Sequence, residues 1–142
     1  MSDTVPVRPL PVVDADSRYF WERAHEHELW IQTCLACGKA VFYPRQICPH
    51  CWGELKWQRA TGQGTVHSFT IVHRPPSPAF AADVPYVVGL VDLEEGCRIM
   101  ARLGGQAVDA WCIGQTVAVT FDDVSPEISL PAFRPQGSAR GA

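Results

Sequence analysis

The spacing of apolar residues divides the chain into a short helical stretch and a longer β-rich one. Asp16 or Ser17 can cap a helix running to about Glu28, with Tyr19, Phe20, Trp21 and Ala24 on one broad stripe and Glu22, Arg23, Glu26 and His27 over the rest. Three adjacent rings are a heavy load for so short a helix, which is marginal alone in water and must therefore dock. Two receivers are open, its own domain or another subunit, because a small neighbouring unit offers little core. Residues 29–33 then alternate Leu29, Ile31 and Thr33 against Trp30 and Gln32, the period of a strand.

From Gly64 onward the period is two throughout. Thr65 to Arg74 reads as a strand with His67, Phe69, Ile71 and His73 on one half-buried face. A proline-rich loop from Pro75 to Pro85 carries Phe80 near its middle. Tyr86 to Leu93 is the next strand, Glu94-Glu95-Gly96 a tight hairpin turn, and Cys97 to Leu103 a strand with Cys97, Ile99, Ala101 and Leu103 inward and Arg98, Met100 and Arg102 outward. After a looser connection come Thr116 to Val124, with Val117, Val119 and Phe121 on one face, and a short closing strand from Leu130 to Phe133. Four or five short strands in such a span suit a small closed barrel of the five-stranded OB type. With the paired cysteines Cys34/Cys37 and Cys48/Cys51 between these stretches, the expected fold class is mainly β: an N-terminal helix, a rubredoxin-like zinc ribbon and an OB barrel. The expected organisation is a flexible arm over 1–16, whose Pro6, Pro9 and Pro11 block regular structure, helix and ribbon over 17–60, barrel over 61–135 and a tail over 136–142, with the boundary at Thr61-Gly62-Gln63-Gly64.

The ribbon rests on the cysteines. Cys34-Leu35-Ala36-Cys37-Gly38 and Cys48-Pro49-His50-Cys51 are two knuckles, each able to aim two thiolates at one ion while its turn points N–H groups at the sulfurs. Gly38 falls where positive φ is often needed. Cys34, Cys37, Cys48 and Cys51 together make a tetrahedral, soft-ligand site that suits zinc, with iron as the other metal four thiolates accept. Four protein ligands leave no open position, so the ion is structural. His50 reads as an exposed knuckle side chain, His25 and His27 point to different helix faces, and Cys97 and Cys112 read as small buried hydrophobes.

Composition narrows the function. The net charge is −3 and only Lys39 and Lys56 are lysines, which argues against a nucleic-acid backbone as ligand, although zinc ribbons and OB barrels both bind single strands elsewhere. No apolar run approaches about 20 residues, so no membrane-spanning helix is expected. The N-terminus lacks the apolar segment of a secretory signal, and the expected location is cytoplasmic. No nucleophile elbow, phosphate-binding loop or dinucleotide fingerprint occurs, and no paired carboxylates are evident, so the chain is not expected to be an enzyme on its own.

The order of motifs carries a resemblance. Tyr19-Phe20-Trp21, the first knuckle with Gly38, Phe42-Tyr43-Pro44-Arg45, the second knuckle, Gly62 and Gly64 before Thr65-Val66, Pro85-Tyr86-Val87-Val88, and Pro131, Phe133, Arg134 and Pro135 follow one another over about residues 17 to 135. This resembles the acyl-CoA-associated zinc-ribbon plus OB-fold family, once catalogued as a domain of unknown function, whose members are accessory partners of thiolase-like enzymes. The resemblance implies a non-catalytic subunit in a hetero-oligomer with a thiolase or retro-aldolase type enzyme, or with a MaoC-like enoyl-CoA hydratase. Such a subunit stabilises its partner and helps form the acyl-CoA site. It implies zinc at the four cysteines and acyl-CoA as a shared ligand. Phe42, Tyr43, Arg45 and Arg74 are the candidate CoA contacts, since Arg suits phosphate and the rings suit the pantetheine arm. Tyr19, Phe20, Trp21 and Phe80 are the candidate partner interface.

Overall fold

The computed structural model describes residues 9–136. Residues 1–8 of the expected arm and 137–142 of the expected tail lie outside the described residues. The fold is mainly β. One helix, α1 (Arg18–His25), precedes a three-stranded antiparallel sheet of β1 (Trp30–Cys34), β2 (Ala40–Val41) and β3 (Leu55–Arg59), in the order β2-β1-β3. Five further strands close a barrel: β4 (Gln63–Val72), β5 (Tyr86–Leu93), β6 (Arg98–Leu103), β7 (Thr116–Asp123) and β8 (Ser129–Pro135), ordered β4-β5-β6-β8-β7 with β7 returning to β4. The pairing of β6 with β8 is parallel, and the other barrel pairs are antiparallel. This is the connectivity of an OB barrel.

The helix begins at an Asp14–Ser17 turn, where the Ser17 N–H and hydroxyl both donate to Asp14 Oδ1. It ends at His25, a turn earlier than the apolar stripe suggests. His27 takes a left-handed conformation (φ 63°) and donates its N–H back to Ala24, so the backbone leaves the helix before Glu28. The helix docks on β1 and β8 of its own chain. Phe20 is 1% and Trp21 7% exposed, so the intramolecular core takes up two of the three rings. Tyr19 instead turns toward Trp30 and Trp57 on the ribbon sheet.

Strand β4 departs from simple alternation. Gly64 and Val66 face the core, a bulge falls between Val66 and Ser68, and Phe69 and Ile71 continue the inward face beyond it. The extra residue shifts the phase, so His67 is exposed and sits 3.6 Å from Asp92 rather than lining a face with Phe69 and Ile71. His73 lies past the strand end and is exposed as well. Strand β6 follows the expected pattern, with Ile99, Ala101 and Leu103 buried. Cys97 is buried, but Cys112 is exposed, because it stands in the turn before β7. Trp111, from the loop between β6 and β7, fills the core beside these strands.

The ribbon and barrel are joined by short, fully bonded backbone. Ala60 donates to Leu29 and Val119 to Gly62, while the β5–β6 hairpin tip holds Thr61 through Glu94 and Glu95. On the other side of the junction the His27 ring stacks on Phe121 at 5.2 Å, and its Nε2 lies 2.9 Å from Asp123 Oδ1. The buried Ser129 hydroxyl donates to the same carboxylate oxygen.

That contact has a pH signature. The Ser129 hydroxyl, and then His27, hold the Asp123 carboxyl below its ordinary range. A depressed carboxylate stabilises the fold above its unfolded pKa, about 3.9, and the contribution is lost as pH falls through the lower folded value. Ser129→Ala should therefore flatten the loss of stability on acidification below about pH 4, read as urea midpoints measured across pH.

Candidate metal centre and adjoining groove

The two knuckles are built from turns that strand pairing brings face to face. Cys34 ends β1, and its N–H bonds to the Lys39 carbonyl, closing the first turn; Cys48 bonds Gly53 in the same way to close the second. All four Sγ atoms lie within 4.8 Å of one another, with 3.4 Å between Cys34 and Cys51 and 3.8 Å between Cys37 and Cys48. A tetrahedral zinc with Zn–S bonds of 2.3 Å requires sulfurs about 3.8 Å apart, so the cage is close to the size of the ion. Ala36 and Cys37 direct their N–H groups at Cys34 Sγ, both at 3.3 Å, and His50 does so toward Cys48 Sγ.

Those N–H groups shape the chemistry. They pull the Cys34 thiol down to about 6, the Cys37 N–H most strongly, which favours the thiolate form that a metal requires. Cys51 is pushed the other way because, without a cation, its proton serves the Cys34 sulfur. A divalent ion would replace that shared proton and hold all four sulfurs ionised. Gly53 fits the cage by having no side chain: a Cβ there would lie 2.9 Å from Cys34 Sγ and 3.2 Å from Cys51 Sγ. The site is closed by protein ligands, and its donor set fits structural zinc. The His50 backbone, not its exposed ring, serves the site.

The positions after each knuckle differ. Gly38 has φ 77°, as the motif leads one to expect, while the equivalent position of the second knuckle is Trp52 at φ 68°, 78% exposed. A bulky residue there costs about 1 kcal/mol or more.

Next to the ribbon lies a groove of about 750 Å³ lined by the helix, the ribbon loop and barrel strands β6, β7 and β8. Phe20, Trp21, Phe42 and Tyr43 contribute from one side, β6 and β8 from the barrel, and Phe80 from the proline-rich loop. The rings brace one another. Phe20 lies 5.4 Å from Phe42 and 5.9 Å from Tyr43, and Trp21 Nε1 donates to the Tyr43 hydroxyl at 3.1 Å. The proline-rich loop is tied to the barrel by Arg102, which bonds Asp83 at 2.9 Å and covers the Tyr86 ring at 4.0 Å.

The candidate CoA contacts are thus divided. Phe42 and Tyr43 line the groove, whereas Arg45 and Arg74 are exposed and do not. Arg45 has its backbone clasped by the buried Gln32 amide and lies over a shallower hollow beside Ile47 and Trp52. Of the candidate interface residues, Phe20, Trp21 and Phe80 line the groove and Tyr19 does not. Sequence reasoning missed Met100, Arg102, Asp122 and Asp123, which also line it. The outward face of β6 was a readable signal for the first two. Asp122 and Asp123 are adjacent on a strand, where alternation sends neighbours to opposite faces, so side-chain pattern gave no signal that both line one groove.

A four-thiolate ribbon docked on an OB barrel defines a zinc-ribbon/OB protein, and the comparisons agree. Residues 21–56 match the family model "ChsH2, rubredoxin-like zinc ribbon domain", and residues 57–122 match "ChsH2, C-terminal OB-fold domain". The chain belongs to the DUF35/ChsH2 family. It is 41% identical over 131 residues to a probable enoyl-CoA hydratase alpha subunit of Thermomonospora curvata, covering 91% of this chain and 40% of that one. It is 36% identical over 96 residues to a DUF35 domain-containing scaffold protein of Methanothermobacter thermautotrophicus, covering 66% of this chain and 71% of that one. Among solved structures it is similar to the Ltp2-ChsH2(DUF35) aldolase, with a TM-score of 0.79 and 39% identity over 89% of this chain and 98% of that chain. The chain spans about two fifths of the length of the hydratase subunit it matches. Among the described residues, no helix is long and apolar enough to cross a membrane.

Two outcomes test the metal centre. Cys34→Ser, or chelation of the wild type, should abolish the ribbon fold and zinc content together, read by elemental analysis and circular dichroism. Trp52→Gly should keep the zinc and raise stability by up to about 1 kcal/mol in urea titration, because it relieves the left-handed Trp.

Proposed function

We propose that this chain is a non-catalytic accessory subunit of a thiolase-superfamily enzyme, of thiolase or retro-aldolase type, acting on acyl-CoA thioesters. It stabilises that partner and helps form the acyl-CoA site. The observation that carries this reading is the groove beside the ribbon, lined by five rings and held at both edges, on a family scaffold that the Ltp2-ChsH2(DUF35) aldolase structure also contains. The closed sulfur cage has no place for substrate, so the ion is a staple. Among the described residues that line the groove, none is a nucleophile paired with a base, and Asp123 is engaged by His27 and Ser129. Chemistry is therefore left to the partner. Tyr19 and Phe80, which keep part of their rings accessible, remain the better interface candidates, since Phe20 and Trp21 are spent on the intramolecular core.

A hydratase complex is the second reading, favoured by the 41% identity to a probable enoyl-CoA hydratase alpha subunit. A single-stranded nucleic-acid role is disfavoured by the net charge of −3 and the acidic groove.

Affinity purification of the tagged chain from its native cell, with mass spectrometry, separates the readings. A thiolase-fold polypeptide in fixed ratio is expected, and its turnover and solubility should fall by about tenfold or more when this chain is withheld. A partner equally active and stable alone would refute the accessory role.

A further inference from the structure

Resting on the reading above, we propose that the groove receives the acyl end of the thioester, an uncharged and bulky apolar group, and leaves the nucleotide end outside. The argument is one of charge and shape. CoA carries several negative charges at its phosphates, while its acyl and pantetheine portions carry none. The groove has the wrong sign for phosphate. Asp122 and Asp123 both line it, and its guanidinium, Arg102, is already bonded to Asp83 at 2.9 Å and stacked on Tyr86. Two solvent-exposed carboxylates at the groove repel a phosphate through a screened interaction, and drawing Arg102 away to compensate would break its contacts with both Asp83 and Tyr86. The exposed guanidiniums of Arg45 and Arg74 lie outside the groove, where an anion stays hydrated.

The lining suits a different guest. Phe42, Tyr43 and Phe80 present accessible ring surface over a floor of buried Phe20 and Trp21, Pro9 and Leu10 add apolar surface, and Met100, 68% exposed, adds a flexible thioether at the barrel side. The Trp21–Tyr43 hydrogen bond satisfies the indole N–H within the wall, so the rings need no polar partner from a ligand. At about 750 Å³ the groove falls within the usual range of small-molecule clefts and admits a fused-ring acyl group. The two carboxylates accept hydrogen bonds from hydroxyl or amide N–H groups, which pantetheine supplies without charge.

Isothermal titration of the zinc-loaded full chain with naphthoyl-pantetheine, naphthoyl-CoA and free CoA tests this. The first two should bind within about threefold of each other, and free CoA about tenfold or more weakly. Ala132→Phe, which fills the groove from β8, should weaken naphthoyl-pantetheine by about tenfold. Met100→Glu on the exposed rim should weaken it too, and gives a second reading should the first variant fold poorly. Arg45→Ala should leave it unchanged. Free CoA binding as tightly as naphthoyl-CoA, or affinity indifferent to Ala132→Phe and Met100→Glu, would overturn the proposal. So would displacement of naphthoyl-pantetheine by the purified catalytic subunit, which would assign the groove to that polypeptide. The titrations of the chain alone do not depend on whether it forms the complex, so the accessory role can survive their failure.

Discussion

The ribbon depends on four sulfurs brought within 4.8 Å of one another, a cage whose donor set fits one structural zinc. Its apolar reserve is small: Cys34, Val41 and Cys48 form its buried cluster, with Leu55 alongside, and two of those are ligands. A cluster of that size cannot offset the ordering of the loop from Gly38 to Ile47, whereas structural zinc contributes about 10 kcal/mol or more. The loop that carries Phe42, Tyr43 and Arg45 runs between the two knuckles and is held further by Phe42 against the main core, by the Trp21–Tyr43 hydrogen bond and by the Gln32 amide on the Arg45 backbone.

The groove follows from that staple and from a second constraint, the helix. Phe20 and Trp21 are buried where α1 meets β8 and the ribbon loop, so one set of rings both glues the two units and lines the cleft between them. The bonded junction at Ala60 to Gly62 and the His27–Asp123–Ser129 contact hold the two edges of that arrangement. A groove made this way is shaped by side chains from three parts of the fold, and the sulfur cage lies outside its lining.

The sequence-based reading went furthest where local rules act alone. The C-x-x-C spacing names its ligands because a knuckle is a local turn, and the inward face of β6 could be read from period two because that strand is regular. It failed where one residue changes phase or direction. The bulge after Val66 turned His67 to solvent, and His27 cut the helix short, each a single backbone choice that side-chain pattern does not record. The short strands β2 and β3 were absorbed into the ribbon without being resolved, since two to five residues carry too little periodicity.

What the chain's order of residues determined by itself is the metal site, the strand-rich barrel and the family pattern, because each is encoded in spacing along a few dozen positions. Only the tertiary structure decided which rings face inward, which guanidinium shares a cleft with them, and that Asp122 and Asp123 line the same groove as Phe42 and Tyr43. The physical reason is that a groove is a relation between surfaces distant in sequence. Its charge is the sum over residues that no local window contains.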